Sequence, residues 1–112
     1  MSARYELFQG TDDQYYFRLK AANGEIILQS EGYQAKQGAE TGISSVRVNS
    51  PLDERYESKT SISFKYYFVL KASNEKVIGA SQMYTTTQGR DKGIASVKAN
   101  GPDAPVHDLT GE

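Results

Sequence analysis

The chain has 112 residues, no cysteine, and 13 basic against 14 acidic side chains, a formal charge of −1 at neutral pH. That length suits one domain, or two half-domains around a shared core. The missing cysteines exclude disulfides and thiolate metal sites, and the balanced charge gives no global attraction to nucleic acid or anionic lipid. The leading "MSARYELFQG" lacks the apolar run of a signal peptide. No stretch approaches the roughly 20 apolar residues that span a bilayer, so a cytoplasmic protein without membrane contact is expected.

"RYELFQ" (4–9) reads as a strand and "GTDDQ" (10–14) as a turn. "YYFRLKA" (15–21) then alternates at period two, placing Tyr15, Phe17, Leu19 and Ala21 on a core face and Tyr16, Arg18 and Lys20 on the other. Asn23-Gly24 is a strong hairpin signal, since both residues tolerate positive φ, and "EIILQS" returns as a third strand. The period changes after Tyr33. Ala35, Ala39, Gly42, Ile43 and Val46 recur at three- and four-residue spacing, the stripe of an amphipathic helix, and "NSP" (49–51) stops it.

The same pattern then begins again. At an offset of 51 residues, 15–51 lies over 66–102 without a gap and with 18 identities in 37 positions, and "RYE" at 4–6 falls on "RYE" at 55–57. In the second copy Tyr66, Phe68, Leu70 and Ala72 oppose Tyr67, Val69 and Lys71, and Thr86, Gly93, Ile94 and Val97 form the helical stripe with Arg90 at the Ala39 position. Thr85 followed by Gln88 reads as a capping box at the start of that helix. Glu75 stands where the first copy has Gly24, which predicts a longer or strained turn.

The fold class expected is therefore α+β, with two tandem β-β-β-α repeats (4–52 and 55–103) joined as a pseudo-dimer. One antiparallel sheet carries both helices on one face, and 104–112 forms a tail or a short edge strand. One copy of about 50 residues is a marginal core, so the copies complete each other.

"YYFRLKAANGEII", "SEGY" and "GISSV", repeated in tandem, resemble the YegP-like family of small bacterial proteins, whose domain carries an unknown-function label. The resemblance covers roughly residues 4–102. It implies a single sheet from two β-β-β-α repeats, with exchange of a terminal strand that suits a strand near Val106, and it implies no enzymatic activity. The second copy departs from the pattern, with "ASNEK" for "AANGE" and Met83 for Gly32, which argues against a function needing two equivalent sites.

The residues present no catalytic constellation. His107, the one histidine, adjoins Asp108 in the tail with no nucleophile beside it. Ser45 and Ser96 suit a bond to the helix backbone or a helix–helix contact, and Tyr33 and Tyr84 suit core corners. Gly42 and Gly93 imply close approach within the packing. No cofactor and no metal are expected, and no enzyme.

The best candidate surface is the outer face of the sheet, with Tyr16, Arg18 and Lys20 in one half and Lys65, Tyr67 and Lys71 in the other. The leading expectation is a monomeric binding module for an unidentified partner, most readily a protein. The runner-up is single-stranded nucleic acid stacked on the aromatics, and a small-molecule site between the repeats ranks third.

Overall fold

A computed structural model describes residues 2–112. The chain runs β1 (Arg4–Gln9), β2 (Tyr15–Lys20), β3 (Ile26–Ser30), α1 (Lys36–Asn49), a 3-10 turn (Asp53–Arg55), β4 (Tyr56–Thr60), β5 (Tyr66–Lys71), β6 (Val77–Ala80), α2 (Thr87–Asn100) and β7 (Val106–Asp108). The two expected β-β-β-α units are present, and one sheet joins them in the order β4-β5-β6-β3-β2-β1-β7.

The join is the antiparallel pair β3–β6, where Gln29 lies opposite Ala80. These positions differ by the repeat offset of 51, so a pseudo-two-fold axis passes between them. All pairings among the first six strands are antiparallel. The seventh is not: β7 runs parallel to β1, with Tyr5 opposite Val106 and Leu7 opposite Asp108, so the sheet is mixed. The repeat itself supplies the reason. Val106–Asp108 is equivalent to Arg55–Glu57, where the 3-10 turn after α1 passes into β4. After α2 the chain heads for the symmetry-related place, finds β1 there, and lies beside it in the same direction.

All four hairpins use one device. A type I turn ends in a residue at positive φ, as the three-residue hairpin loop requires: Asp13 (φ 66°), Gly24 (φ 88°), Phe64 (φ 62°) and Glu75 (φ 68°). Asn23 is not among them, so only the glycine of the Asn-Gly pair needs its freedom. The turn at Glu75 keeps the length of its counterpart, with Ala72 N donating to Lys76 O as Ala21 N donates to Glu25 O (both 2.9 Å). It is strained rather than lengthened.

Both helices lie on one face of the sheet, over a core that includes Tyr5, Leu7, Phe17, Leu19, Leu28, Phe68 and Leu70. The α1 stripe buries Ala39, Gly42, Ile43 and Val46, as its spacing predicts, whereas Ala35, expected on the same stripe, is the exposed N-cap before the first turn. In α2 only Gly93 and Val97 are buried; Ile94 is half-buried, Thr86 is exposed, and Arg90, at the Ala39 position, sits over the Tyr66 ring, 5.8 Å from its centroid. The expected capping box at Thr85 is displaced by one residue: Thr86 is the N-cap, and its Oγ1 accepts from Gly89 N at 2.9 Å. Thr86 has the extended backbone that a cap needs, and a threonine there satisfies one of the helix's first amide groups.

Two outcomes test this architecture. Residues 1–53 made alone are expected to be unfolded or dimeric by sedimentation and circular dichroism, and a folded monomer would refute the shared core. Glu75→Gly should stabilise the protein by about 1 kcal/mol, since a left-handed non-glycine residue costs roughly 1–2 kcal/mol. Thermal denaturation would register this as a rise of several degrees.

Candidate interaction surface

Period-two alternation sends even-numbered residues of β1 and β2 and odd-numbered residues of β4 and β5 to the face that the helices leave bare. Tyr16, Arg18, Lys20, Tyr67 and Lys71 lie there, as the sequence predicts. Lys65 belongs instead to the β4–β5 turn, where its N–H donates to Ser61 Oγ at 3.1 Å. The two halves do not meet. β2 and β5 are three strand spacings apart in the sheet order, about 14 Å, with Gln29 and Ala80 between them.

Each half is organised by a carboxylate at the same repeat position. In the first, Glu6 meets Arg18 Nε at 2.8 Å, Arg4 Nε at 3.2 Å and Lys20 Nζ at 3.3 Å. Burial by itself would raise the Glu6 carboxyl, but hydrogen bonds and charge from Arg18 and Lys20 overcome it and hold the group below its ordinary range. Arg18 also lies over Phe8, 4.4 Å from the ring centroid, and Phe8 stacks on Tyr16 at 5.6 Å and 18°. The Tyr16 hydroxyl donates to Asp12 Oδ2 at 2.5 Å, which raises the phenol.

In the second half Glu57 takes the place of Glu6, bound to Lys71 and, at 3.5 Å, to Lys59. The Lys71 hydrogen bond, followed by the charges of Lys59 and Lys71, lowers the Glu57 carboxyl. Reading only the second strand of each repeat misses Arg4, Glu6, Phe8, Glu57 and Lys59. The alternation of "RYELFQ" carries the signal for the first three.

The paired residues that invite chemistry have structural partners. His107 and Asp108 are neighbours on β7 and so face opposite sides of the sheet. His107 lies at the level of Glu6, while Asp108 reaches Lys36 Nζ at 2.5 Å on the helix side. Ser45 and Ser96 each accept from the amide of Asn49 or Asn100, to the backbone oxygen at 2.9 Å and to Oγ at 3.3 Å. Tyr33 and Tyr84 lie across the glycines of their own helices. A Cβ on Gly42 would come within 2.5 Å of the Tyr33 hydroxyl and 2.7 Å of Phe17, and one on Gly93 within 2.3 Å of the Tyr84 hydroxyl.

Two shallow clefts flank these tyrosines and obey the pseudo-two-fold. Tyr33, Gly42 and Ser45 face Asn74, Lys76 and Ile78 across about 310 Å³. Tyr84, Gly93 and Ser96 face Asn23, Glu25 and Ile27 across about 330 Å³. They lie where the third-ranked reading, a small-molecule site between the repeats, would fall, and Lys76 in one stands where Glu25 stands in the other.

Comparison with known proteins places the molecule. Residues 11–57 and 63–108 each match the domain of unknown function DUF1508. The chain belongs to this family, in two copies. Each matched segment runs from a hairpin through a helix into the strand that follows, the same unit that makes β7 the counterpart of the start of β4. The UPF0339 protein YegP of Escherichia coli K12 is 56% identical over 110 residues, 98% of this chain and 100% of its own. A UPF0339 protein of Acinetobacter baylyi is 59% identical over 111 residues, 99% of this chain and 100% of its own.

The solution NMR structure of YegP from E. coli, titled a protein of unknown function, superposes with a TM-score of 0.93 at 56% identity, covering 100% of this chain and 97% of that one. The solution structure of a UPF0339 protein from Shewanella oneidensis gives 0.91 at 51% identity, with 98% and 93% covered. The recognition from sequence thus holds for family and fold. No helix among the described residues is long and apolar enough to cross a membrane.

The attachment of β7 is expected to depend on pH. Lys36, with Thr110, holds the Asp108 carboxyl at about 2, against about 3.9 for an unperturbed aspartate. A depressed acid favours the docked strand above the unperturbed value and stops doing so as pH falls through the depressed one. Hydrogen exchange should therefore show the Leu109 amide, bonded to Leu7 O at 2.7 Å, losing protection between about pH 4 and about pH 2. Asp108→Asn should remove that step.

Proposed function

We propose that this chain is a non-catalytic binding module that receives a protein partner with an acidic surface on the bare face of its sheet. An excess of cations on that face carries the reading. Arg4, Arg18, Lys20, Lys59 and Lys71 stand against Glu6, Glu57 and the Tyr16-bound Asp12, five against three, on a chain whose total is −1. The carboxylates fix the cations in place, so little side-chain entropy remains to be lost on association. Phe8, Tyr16 and Tyr67 add flat aromatic area of the kind enriched in interfaces.

The stacked Phe8–Tyr16 pair beneath Arg18 favours a second reading, single-stranded nucleic acid. It ranks below the first because the chain's total charge is −1, which gives a weak electrostatic footprint for a polyanion, and the two halves are about 14 Å apart.

Amide spectra of nitrogen-15-labelled protein separate the two. A mixed pool of short single-stranded and duplex oligonucleotides should leave Tyr16, Arg18, Lys20, Tyr67 and Lys71 unshifted at moderate salt. Shifts at these residues that fade as salt rises would move nucleic acid to the lead. For the protein reading, the double variant Arg18→Glu, Lys71→Glu should stay folded and lose a partner that the parent chain captures from lysate at moderate salt. Equal capture by both would refute the use of this face.

A further inference from the structure

The two edges of the sheet are not alike. On β1, Tyr5 N donates to Pro105 O at 2.8 Å and Leu7 O accepts from Leu109 N at 2.7 Å, so the outward backbone groups of that edge are satisfied by β7 and its flanks. The other edge is β4, which no strand covers. Tyr5 and Leu7 are equivalent to Tyr56 and Ser58, so Ser58 turns both its N–H and its C=O away from β5. The Tyr56 amide alone is occupied, by Asp53 O. Such an edge is a template for another strand.

The sequence of that edge fits itself. β4 reads Tyr56-Glu57-Ser58-Lys59-Thr60. An antiparallel copy centred on Ser58 puts Ser58 against the partner's Ser58, in the pairing where both N–H···O bonds form. Glu57 then faces the partner's Lys59, and Tyr56 the partner's Thr60. Both charge pairs lie on the bare face of the sheet and both are attractive, whereas edge charges that guard against association repel their own copies.

A second observation stands at the end of the same strand. The β4–β5 turn carries Ile62, 101% exposed, and Phe64, 83% exposed. The corresponding turn of the first repeat carries Thr11 and Asp13. Phe64 is also at φ 62°, a conformation that favours glycine, asparagine or aspartate. Packing within the chain gives no reason for a phenylalanine there. In the self-paired register, residue numbers across the join sum to 116, which carries the turn past the end of the partner's strand and onto its Leu52–Arg55 segment.

We propose that β4 is a self-complementary edge through which two copies of this chain associate about a two-fold axis at Ser58, making one sheet of fourteen strands with Ile62 and Phe64 as its apolar flanks. The join is short, and the association is correspondingly weak. It lies at the opposite end of the sheet from the Glu6 cluster and leaves both bare faces on the same side.

Sedimentation equilibrium of the full chain from micromolar to millimolar concentration tests this. The mass should rise toward that of two chains. Ser58→Pro removes the outward N–H at an edge position that accepts proline, and it should abolish the rise. Glu57→Lys and Lys59→Glu should each weaken association at least about tenfold, because the two-fold axis repeats every like-charge pair. An equimolar mixture of these two variants restores both attractive pairs and should associate at least as well as the parent. A chain that stays monomeric at millimolar concentration would overturn the proposal, as would a dimer that survives Ser58→Pro or a mixture that associates no better than its components.

Discussion

The fold depends on a reciprocal hydrogen bond. Tyr5, fully buried on β1, donates its hydroxyl to Gly101 O at 2.6 Å, and Tyr56 on β4 donates to Ser50 O at 2.7 Å. Ser50 and Gly101 are the C-caps of the two helices, and the last carbonyls of a helix have no partner within it. Each repeat's first strand thus closes the helix of the other. A buried phenol also needs an acceptor, so the bond resolves two demands at once, and burial drives both phenols well above their ordinary pKa. Arg47 and Lys98, again 51 apart, reinforce these corners. Arg47 lies over Tyr5 and donates to Pro102 O and Ala104 O at 3.1 and 2.8 Å, while Lys98 lies over Tyr56 and pairs with Asp53.

Near the pseudo-two-fold the copies must differ. Leu28 is fully buried, and its counterpart is Gly79, where a Cβ would come within 2.9 Å of Leu28 Cγ. Ser50 is fully buried, and its counterpart is Gly101, where a Cβ would come within 2.5 Å of Ser50 Oγ. Both pairs set a side chain against a hydrogen atom, because two equal side chains on the axis would collide. A dimer of identical chains has no such solution, whereas a fused one can make each half different. Fusion also breaks the symmetry of the edges, since β7 has only β1 to join.

The alternation in "YYFRLKA" exposed the sheet, and the offset of 51 exposed the doubling, because both signals live in local sequence. The direction of β7 did not show, since a three-residue strand has too little period, although Val106 falls on Arg55 in the same alignment. The cap at Thr86 was hidden among three consecutive threonines, any of which has the chemistry, and only backbone geometry selects one. The binding surface was half legible. Tyr16, Arg18 and Lys20 follow from period two, but their attachment to Glu6 joins β1 to β2 and depends on strand register, which no single strand encodes.

The repeat acts as an internal control on what each residue is for. Away from the bare face, positions identical in both copies sort into packing: Tyr33 and Tyr84 against Gly42 and Gly93, Ser30 and Ser81 accepting from Phe17 N and Phe68 N at 2.9 and 3.0 Å, and Asn49 and Asn100 bonded back to Ser45 and Ser96. On the bare face Glu6 and Glu57, Tyr16 and Tyr67, and Lys20 and Lys71 are identical as well. The exposed apolar residues sort the other way. Ile62, Phe64, Val77 and Met83 belong to the second copy, where the first has Thr11, Asp13, Ile26 and Gly32, and the exposed Val48 of the first corresponds to Ala99 in the second. Ile62 and Phe64, on the turn beside the uncovered β4, owe nothing to the needs of the core. The first copy supplies the covered edge and the buried carboxylate cluster, and the second carries the uncovered strand with Ile62 and Phe64 exposed at its turn.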